Sequence, residues 1–227
     1  MRKPRRRRRH LLRWLVLILV AAGIVIASVA VQHEVFGSPD SFSTPSAASL
    51  SGLSLRQRIV AVAESQVGYR TDPANSYCNK FSAYWVAGTP GCPGGNYREE
   101  WCADFAAWAW QRAGVLVTYR FVNGDLNSSA ASFYEWGVRH GTWHSVHSGY
   151  RPQPGDVAVY GLDQVARTAV HVAVVTGFAP GAAGPNVVNG DGDRTGFSVV
   201  ERDANQYRAD ARKPDSILSG YVSPLPT

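Results

Sequence analysis

Cysteine is scarce in this chain, with three residues among 227. The sequence also lacks a zinc-binding signature, a Gly-x-Ser-x-Gly motif and a Walker loop. These absences argue against a zinc module, a serine enzyme of the α/β-hydrolase type and a P-loop nucleotidase. The chemistry of the protein must therefore come from other residues.

Acidic residues are absent from the first 13 positions, which hold eight of the 23 Lys and Arg residues. The rest of the chain has 15 basic residues against 17 acidic ones, so the net charge of +6 comes from this short segment. The folded part has no excess of basic residues with which to bind phosphate groups. The charge distribution therefore argues against nucleic acid as a partner.

Charged residues are also absent from residues 14–31, WLVLILVAAGIVIASVAV. An apolar run of this length can span a membrane, and its basic flank predicts that residues 1–13 are a cytoplasmic tail. A cleaved signal peptide is the alternative, because Ser28 and Ala30 form a small-x-small cleavage signal. We predict an uncleaved single-pass anchor in the cell membrane with the rest of the chain outside, or secretion if the segment is removed.

Large apolar residues are few in residues 32–52, which are rich in Ser, Pro and Gly. This composition is typical of a flexible linker. Residues 53–227 follow as one predicted catalytic domain, since about 175 residues suffice for a single core. We expect this domain to be monomeric.

Helix signals come first in the domain and strand signals later. Ser54 and Gln57 form a capping box that predicts a helix over residues 55–67, and further helices are predicted over 102–113 and within 129–139. Between them, residues 69–96 are expected to be irregular apart from a short turn near 81–85. Five β-type runs follow Pro154, beginning at Asp156, Val170, Asn186, Phe197 and Ser216. This order predicts an α+β fold with helices packed on one face of an antiparallel sheet.

An exported protein with three cysteines leaves one thiol over. Cys78 and Cys92 bracket a 15-residue irregular loop, and closing it by a disulfide is worth about 3 kcal/mol in the chain-entropy model. Cys102 is then the free thiol, at a helix N-terminus that favours the thiolate. Nearby acidic residues oppose this effect, and a buried small hydrophobe is the alternative interpretation of Cys102. A thiol nucleophile here needs a base.

Histidine supplies few candidates for that base. His140, His144 and His147 lie in a polar connection and are interpreted as surface residues, because Gly141 interrupts the helix that would align them on a metal. His171 begins the apolar run HVAVVTG, where an imidazole has no packing reason to be. A structural role is the alternative, but together with Cys102 this histidine is the candidate base.

Four blocks of the sequence, taken in order, resemble the signature blocks of the CHAP family, the cysteine, histidine-dependent amidohydrolases and peptidases that cleave peptidoglycan. The blocks are EEWCADFAAWAWQRAG, RPQPGDVAVYG, HVAVVTG and VVNGDGD. The resemblance implies a papain-like fold with Cys102 as nucleophile and His171 as general base. It also implies a third residue near Asn189 that orients the imidazole.

The third position differs from that of many CHAP relatives, which place a carboxylate there and an asparagine two residues later. This chain has Asn189 and then Asp191, so Asn189 is the candidate catalytic residue and Asp191 a candidate supporting residue. Asn189, Asp191 and Asp193 also match the first three positions of a calcium loop. Arg194 and Val200 break that pattern, and we expect no metal and no cofactor.

The resemblance implies a peptidoglycan hydrolase, an amidase or an endopeptidase, that cuts an amide bond of wall peptides through a thioester. An NlpC-type wall endopeptidase is a second hypothesis, although WCADF fits the Asp-Cys-Ser-Gly start of that family poorly. A non-catalytic domain that binds wall peptides is a third. Such a domain is expected to have lost Cys102 or His171, and both are present.

Overall fold

The structure is a computed structural model in which residues 42–192 and 198–225 are described. The predicted cytoplasmic tail and membrane segment, residues 1–31, lie outside these ranges, as does Asp193 of the calcium-loop pattern. No helix in the described ranges has the length and apolar character needed to cross a bilayer.

Five helices precede the main sheet in the described part of the chain. They are α1 (Ala47–Leu50), α2 (Leu55–Glu64), α3 (Lys80–Trp85), α4 (Cys102–Ala113) and α5 (Ala131–His140), with short 3-10 turns at Pro93–Gly95 and Val146–Ser148. The helix predicted over 102–113 has the bounds of α4, and the one predicted within 129–139 matches α5 to within one residue. The turn predicted near 81–85 is the helix α3.

The predicted capping box at the start of α2 is present, with Ser54 accepting from the backbone N–H of Gln57. The helix ends at Glu64, not at residue 67 as predicted. Gln66 and Val67 form i−3 bonds instead, and the N–H of Gly68 donates to the carbonyl of Val200 over 2.9 Å. The bond between Gly68 and Val200 holds the chain against a strand, so the helix ends three residues before the predicted position.

Small side chains allow α4 to lie deep in the core. Its alanines at 103, 106, 107 and 109 have no exposed surface, and the helix contacts the central strands of the sheet. Gly114 ends the helix with φ 103°, a left-handed conformation that glycine adopts without steric cost. The first residue of this helix, Cys102, is thus fixed relative to the sheet.

Six strands form one antiparallel sheet. They are β3 (Trp143–Ser145), β4 (Val157–Tyr160), β5 (His171–Gly177), β6 (Asn186–Gly192), β7 (Val199–Asp203) and β8 (Leu218–Val222), and their order is β3-β8-β4-β5-β6-β7. The five predicted strands are confirmed, and β3 was not predicted. A separate two-stranded pair joins β1 (Cys78–Asn79) to β2 (Tyr97–Arg98).

Alternate residues of the strands face two different clusters. Val157, Val159, Val172 and Val174 pack with the helices in the main core. Ala158 and Tyr160 belong to a smaller cluster on the opposite face. The predicted α+β arrangement, with helices on one face of an antiparallel sheet, is therefore confirmed.

Two apolar side chains from the segment assigned to the linker pack against the domain. The ring of Phe42 meets that of Tyr69 edge-on with centroids 5.9 Å apart, and Leu50 in α1 is buried. Residues 42–52 therefore contribute to the core, because even a Ser-rich segment can be held by a few large apolar groups.

The irregular segment before α4 is closed by a disulfide between Cys78 and Cys92, and Cys102 is a free cysteine. Asn79 caps α3 by accepting from the N–H of Ser82 over 2.7 Å. The disulfide, the β1–β2 pair and α3 thus give order to a stretch rich in turn residues.

Candidate active site

One cleft of about 830 Å³ is lined by all four residues that the sequence singled out as catalytic or supporting. These are Cys102, His171, Asn189 and Asp191. They come from three elements, α4, β5 and β6, which are neighbours in the core. The remaining wall is formed largely by residues 203–213.

Cys102 is the first residue of α4 and is 9% exposed. The backbone N–H of Val172, the residue after His171, hydrogen-bonds the sulfur. Among the described residues, the backbone N–H of Cys102 forms no hydrogen bond, as is usual in the first turn of a helix. The thiol is thus held at the floor of the cleft beside the start of β5.

The pKa of this thiol is raised and not lowered, although Cys102 begins a helix as the sequence predicted. Burial raises the pKa of Cys102 to about 12, and the carboxylates of Asp191, Asp104 and Glu100 add to the rise. The Val172 N–H acts in the opposite direction. The isolated thiol is therefore protonated at neutral pH, and any role as a nucleophile requires a proton acceptor.

His171 lies on β5 opposite Tyr160 of β4, and its Nε2 is 2.9 Å from Asn189 Oδ1. Burial lowers the pKa of His171, the bond to Asn189 raises it, and the charge of Lys213 lowers it further. The ring is therefore neutral at pH 7. If Nε2 carries the proton, the other nitrogen, Nδ1, is free to accept one.

Asn189 occupies the centre of the polar cluster and is 1% exposed. It pairs in the sheet with Ala173, which is two residues from His171 and so on the same face of β5. Its amide nitrogen donates to Asp203 Oδ2 over 2.8 Å. The amide therefore joins the imidazole on β5 to a carboxylate on β7.

Asp191 bonds to the start of α4. Its carboxylate accepts from the backbone N–H of Trp101 over 3.1 Å and from the hydroxyl of Ser198. Ser198 in turn accepts from the indole N–H of Trp101 over 2.8 Å.

The pairing of β6 with β7 is irregular between Asn189 and Gly192, and Asp191 has φ 58° there. This bend carries the carboxylate to the helix terminus that precedes Cys102.

The carboxylate of Asp203 was not predicted by the sequence. It is 9% exposed, bonds Asn189, and accepts from Gln206 Nε2 at 3.4 Å. No motif marks it, because its place beside Asn189 depends on how β6 and β7 pair, and pairing between strands is not visible in a local pattern.

The three surface histidines do not line the cleft. His140 Nδ1 is 2.8 Å from the carbonyl oxygen of Trp136, and His144 stacks on Tyr150 with centroids 3.7 Å apart. Within the described residues no group of three or more His, Cys, Asp or Glu side chains is arranged to hold a metal ion.

A family model described as the CHAP domain matches residues 93–189. These residues contain Cys102, His171 and Asn189, and the match ends before Asp191 and Asp203. The match confirms the resemblance that the sequence blocks indicated. A search of curated proteins finds no match.

Two solved structures from Trichomonas vaginalis, NlpC1 and NlpC2, are similar to this chain at 13% and 12% identity. Each alignment covers 78% of this chain, with TM-scores of 0.39 and 0.40. It covers 46% of the NlpC1 chain and 49% of the NlpC2 chain, so it spans less than half of either protein.

Proposed function

Because residues 93–189 carry a CHAP domain, we propose that this protein is a cysteine hydrolase of the cell wall that cuts an amide bond in peptidoglycan peptides. One observation carries the proposal. Cys102, whose thiol is free, and His171 line one cleft, and Asn189 bonds the imidazole of His171.

The reaction begins with proton transfer. His171 Nδ1 accepts the proton of Cys102 as the sulfur bonds to the carbonyl carbon of the substrate. The backbone N–H of Cys102 donates to the oxyanion that forms. The imidazolium then gives its proton to the leaving amine, the C–N bond breaks, and a thioester remains.

Water completes the cycle. His171 takes a proton from the water as its oxygen attacks the thioester, and returns that proton to the sulfur as the C–S bond breaks. The products are a free carboxylate and the regenerated thiol. Because both starting groups are neutral, the resting pair differs from a preformed thiolate–imidazolium pair.

We also propose that residues 14–31 anchor the protein in the cell membrane with its hydrolase domain outside. The support is the sequence alone, which places an 18-residue uncharged run after a basic tail. Fractionation of cells that make the full chain tests this point. Recovery of a soluble form that begins at Val31 would show that the segment is a cleaved signal.

Digestion of purified sacculi tests the proposed reaction and identifies the bond. The released fragments are analysed by mass spectrometry, with heat-denatured protein as the control. Release of free lactyl carboxylates with intact stem peptides would identify an amidase, and new termini within the stems or cross-bridges an endopeptidase. Release of no fragment would contradict the proposed function.

A further inference from the structure

We propose that Asp203 is a positioning residue, which fixes the side-chain amide of Asn189 and through it the tautomer of His171. The inference rests on the proposed function only in assigning a catalytic consequence to that tautomer. The arrangement that carries it, His171–Asn189–Asp203, is a chain of two hydrogen bonds of 2.9 and 2.8 Å.

The sheet explains why the three side chains meet. Asn189 on β6 pairs with Ala173 on β5 and with Glu201 on β7. Asp203 lies two residues beyond Glu201, so it shares that face of β7 and is a diagonal neighbour of Asn189. The chain of bonds therefore crosses three adjacent strands.

The carboxylate of Asp203 determines which end of the Asn189 side-chain amide faces His171. An amide has two nearly isosteric ends, one donor and one acceptor, and can turn over by rotation about Cβ–Cγ. An ionised carboxylate only accepts, so Asp203 requires the NH₂ end of Asn189 to face it. The oxygen of Asn189 must then face His171, whose Nε2 donates to it.

The tautomer follows from this orientation. With its proton on Nε2, the neutral imidazole has its lone pair on Nδ1, where the proton of Cys102 must go. If the amide turned over, its NH₂ would donate to Nε2 and the ring proton would move to Nδ1. Such a ring cannot accept a proton at the nitrogen that the mechanism uses.

Burial makes this control effective. Asn189 is 1% exposed and Asp203 is 9% exposed, so water competes little for either group. The same low exposure lets the charge of Asp203 favour the imidazolium that forms during attack. The carboxylate that many CHAP relatives are expected to place directly against the histidine is here one residue further along the chain of hydrogen bonds.

The Asp203→Asn variant tests the proposal. Its own amide can donate to Asn189 and turn that side chain over, which favours the Nδ1–H tautomer of His171. Two-dimensional ¹⁵N NMR of the free protein reads the tautomer directly, with the His171 signals assigned by their loss in His171→Gln. We expect Nε2–H in the wild type and a mixture or Nδ1–H in the variant.

Kinetics provide the second measurement. When the carboxylate of a Ser-His-Asp triad is replaced by an amide, kcat falls about 10⁴-fold because the histidine takes the wrong tautomer. Here the amide of Asn189 lies between the carboxylate and the imidazole, so we expect kcat of Asp203→Asn to fall by roughly 10- to 100-fold with KM unchanged. The double variant Asn189→Asp with Asp203→Asn places the carboxylate against the imidazole. It should recover most of the lost kcat.

The matched control is Arg202→Gln, the preceding residue of β7, whose exposed guanidinium pairs with Glu64 on the surface. It should retain the wild-type tautomer and kcat. An Asp203→Asn protein with the wild-type tautomer would overturn the proposal, whether its activity is normal or lost through a lower melting temperature. Because the tautomer is read without substrate, absence of hydrolysis by the wild type would count against the proposed function and not against this arrangement.

Discussion

The thiol and the imidazole lie in one cleft but are held in different ways. Cys102 begins a helix, and the residue before it is tied by its backbone N–H to Asp191. His171 lies on a strand, and its ring is oriented by the side chain of Asn189. Loss of a support on the thiol side should therefore disturb the fold first, whereas loss of a support on the imidazole side should lower kcat more than stability.

The thiol side is built from buried aromatic groups and helix packing. Trp101 has no exposed surface, and its ring stacks on that of Phe81 with centroids 5.3 Å apart. Asp191 and Ser198 satisfy its two N–H groups. A buried donor that loses its acceptor costs about 1–3 kcal/mol, so this wall contributes to stability as well as to position.

The imidazole side is built from side-chain amide and carboxylate groups on adjacent strands. The strands themselves are held by backbone bonds that these side chains do not supply. Removing one of the polar groups leaves the sheet in place. The same group nevertheless decides where the ring proton lies.

Removal of the imidazole should give the largest effect in this comparison. In His171→Ala the base is lost while the strand remains, so we expect kcat to fall by roughly 10²- to 10⁴-fold, the usual contribution of a general base. The melting temperature should stay within a few degrees of the wild type. Steady-state kinetics on soluble wall fragments, with thermal melting, check both, and unchanged kcat would remove His171 from the mechanism.

Removal of the amide should give the next largest effect. Asn189→Ala leaves the imidazole free to change tautomer, so we expect kcat to fall by roughly 10- to 1000-fold with little change in KM. Measurements at saturating substrate test this. A larger loss of kcat for Asp191→Ala than for Asn189→Ala would move the third catalytic role to Asp191.

Asp191→Ala should instead affect stability first. The substitution leaves the Trp101 N–H and the Ser198 hydroxyl without their acceptor, so we expect the free energy of unfolding to fall by about 1–3 kcal/mol. Urea unfolding measures this. The control is Asp163→Ala, since Asp163 accepts two backbone N–H bonds in an exposed turn, where water can replace it. An equal fall in the free energy of unfolding in the two variants would show that Asp191 stabilises the protein no more than an aspartate in an exposed turn.

The pH profile should show the smallest effect. The mechanism needs a neutral His171, and burial lowers its pKa below the ordinary 6.5. We therefore expect kcat/KM to rise with pH through an acid limb centred below 6.5. The thiol, with its pKa raised to about 12, should add no limb between pH 7 and 9. A fall in kcat/KM centred well above pH 7 would instead indicate a preformed thiolate–imidazolium pair, which loses activity when the imidazolium is deprotonated.

Asp104 titrates in the same range and needs a control. Burial raises the pKa of Asp104 to about 6, partly offset by bonds from Ser82 and Tyr119. Its carboxylate accepts from the hydroxyls of Ser82 and Tyr119, and Asp104 does not line the cleft. The acid limb should therefore persist in Asp104→Asn.

Local patterns in the sequence predicted the parts of the site that single elements carry. The end of α4 at Gly114 was predicted because a left-handed C-cap has a local signature. The strand of His171 was visible as an apolar run. β3 was missed because its residues, Trp143 to Ser145, are only half-buried and carry no strand-like alternation.

The parts that depend on contacts between elements could not be predicted. Asp203 reaches Asn189 through the pairing of two strands, and Asp191 reaches Trp101 through an irregularity in that pairing. The high pKa of Cys102 depends on burial, which outweighs the helix terminus recognised in the sequence. Each of these properties belongs to a pair of elements and has no local pattern.

Replacement of the thiol tests the central claim most directly. The digestion of purified sacculi by Cys102→Ala is measured as loss of turbidity and compared with the wild type. Since the substitution removes a single sulfur atom and alanine favours a helix, the melting temperature should change by only a few degrees. We expect the variant to fold and to release no wall fragments, and digestion at the wild-type rate would contradict a mechanism that uses this thiol.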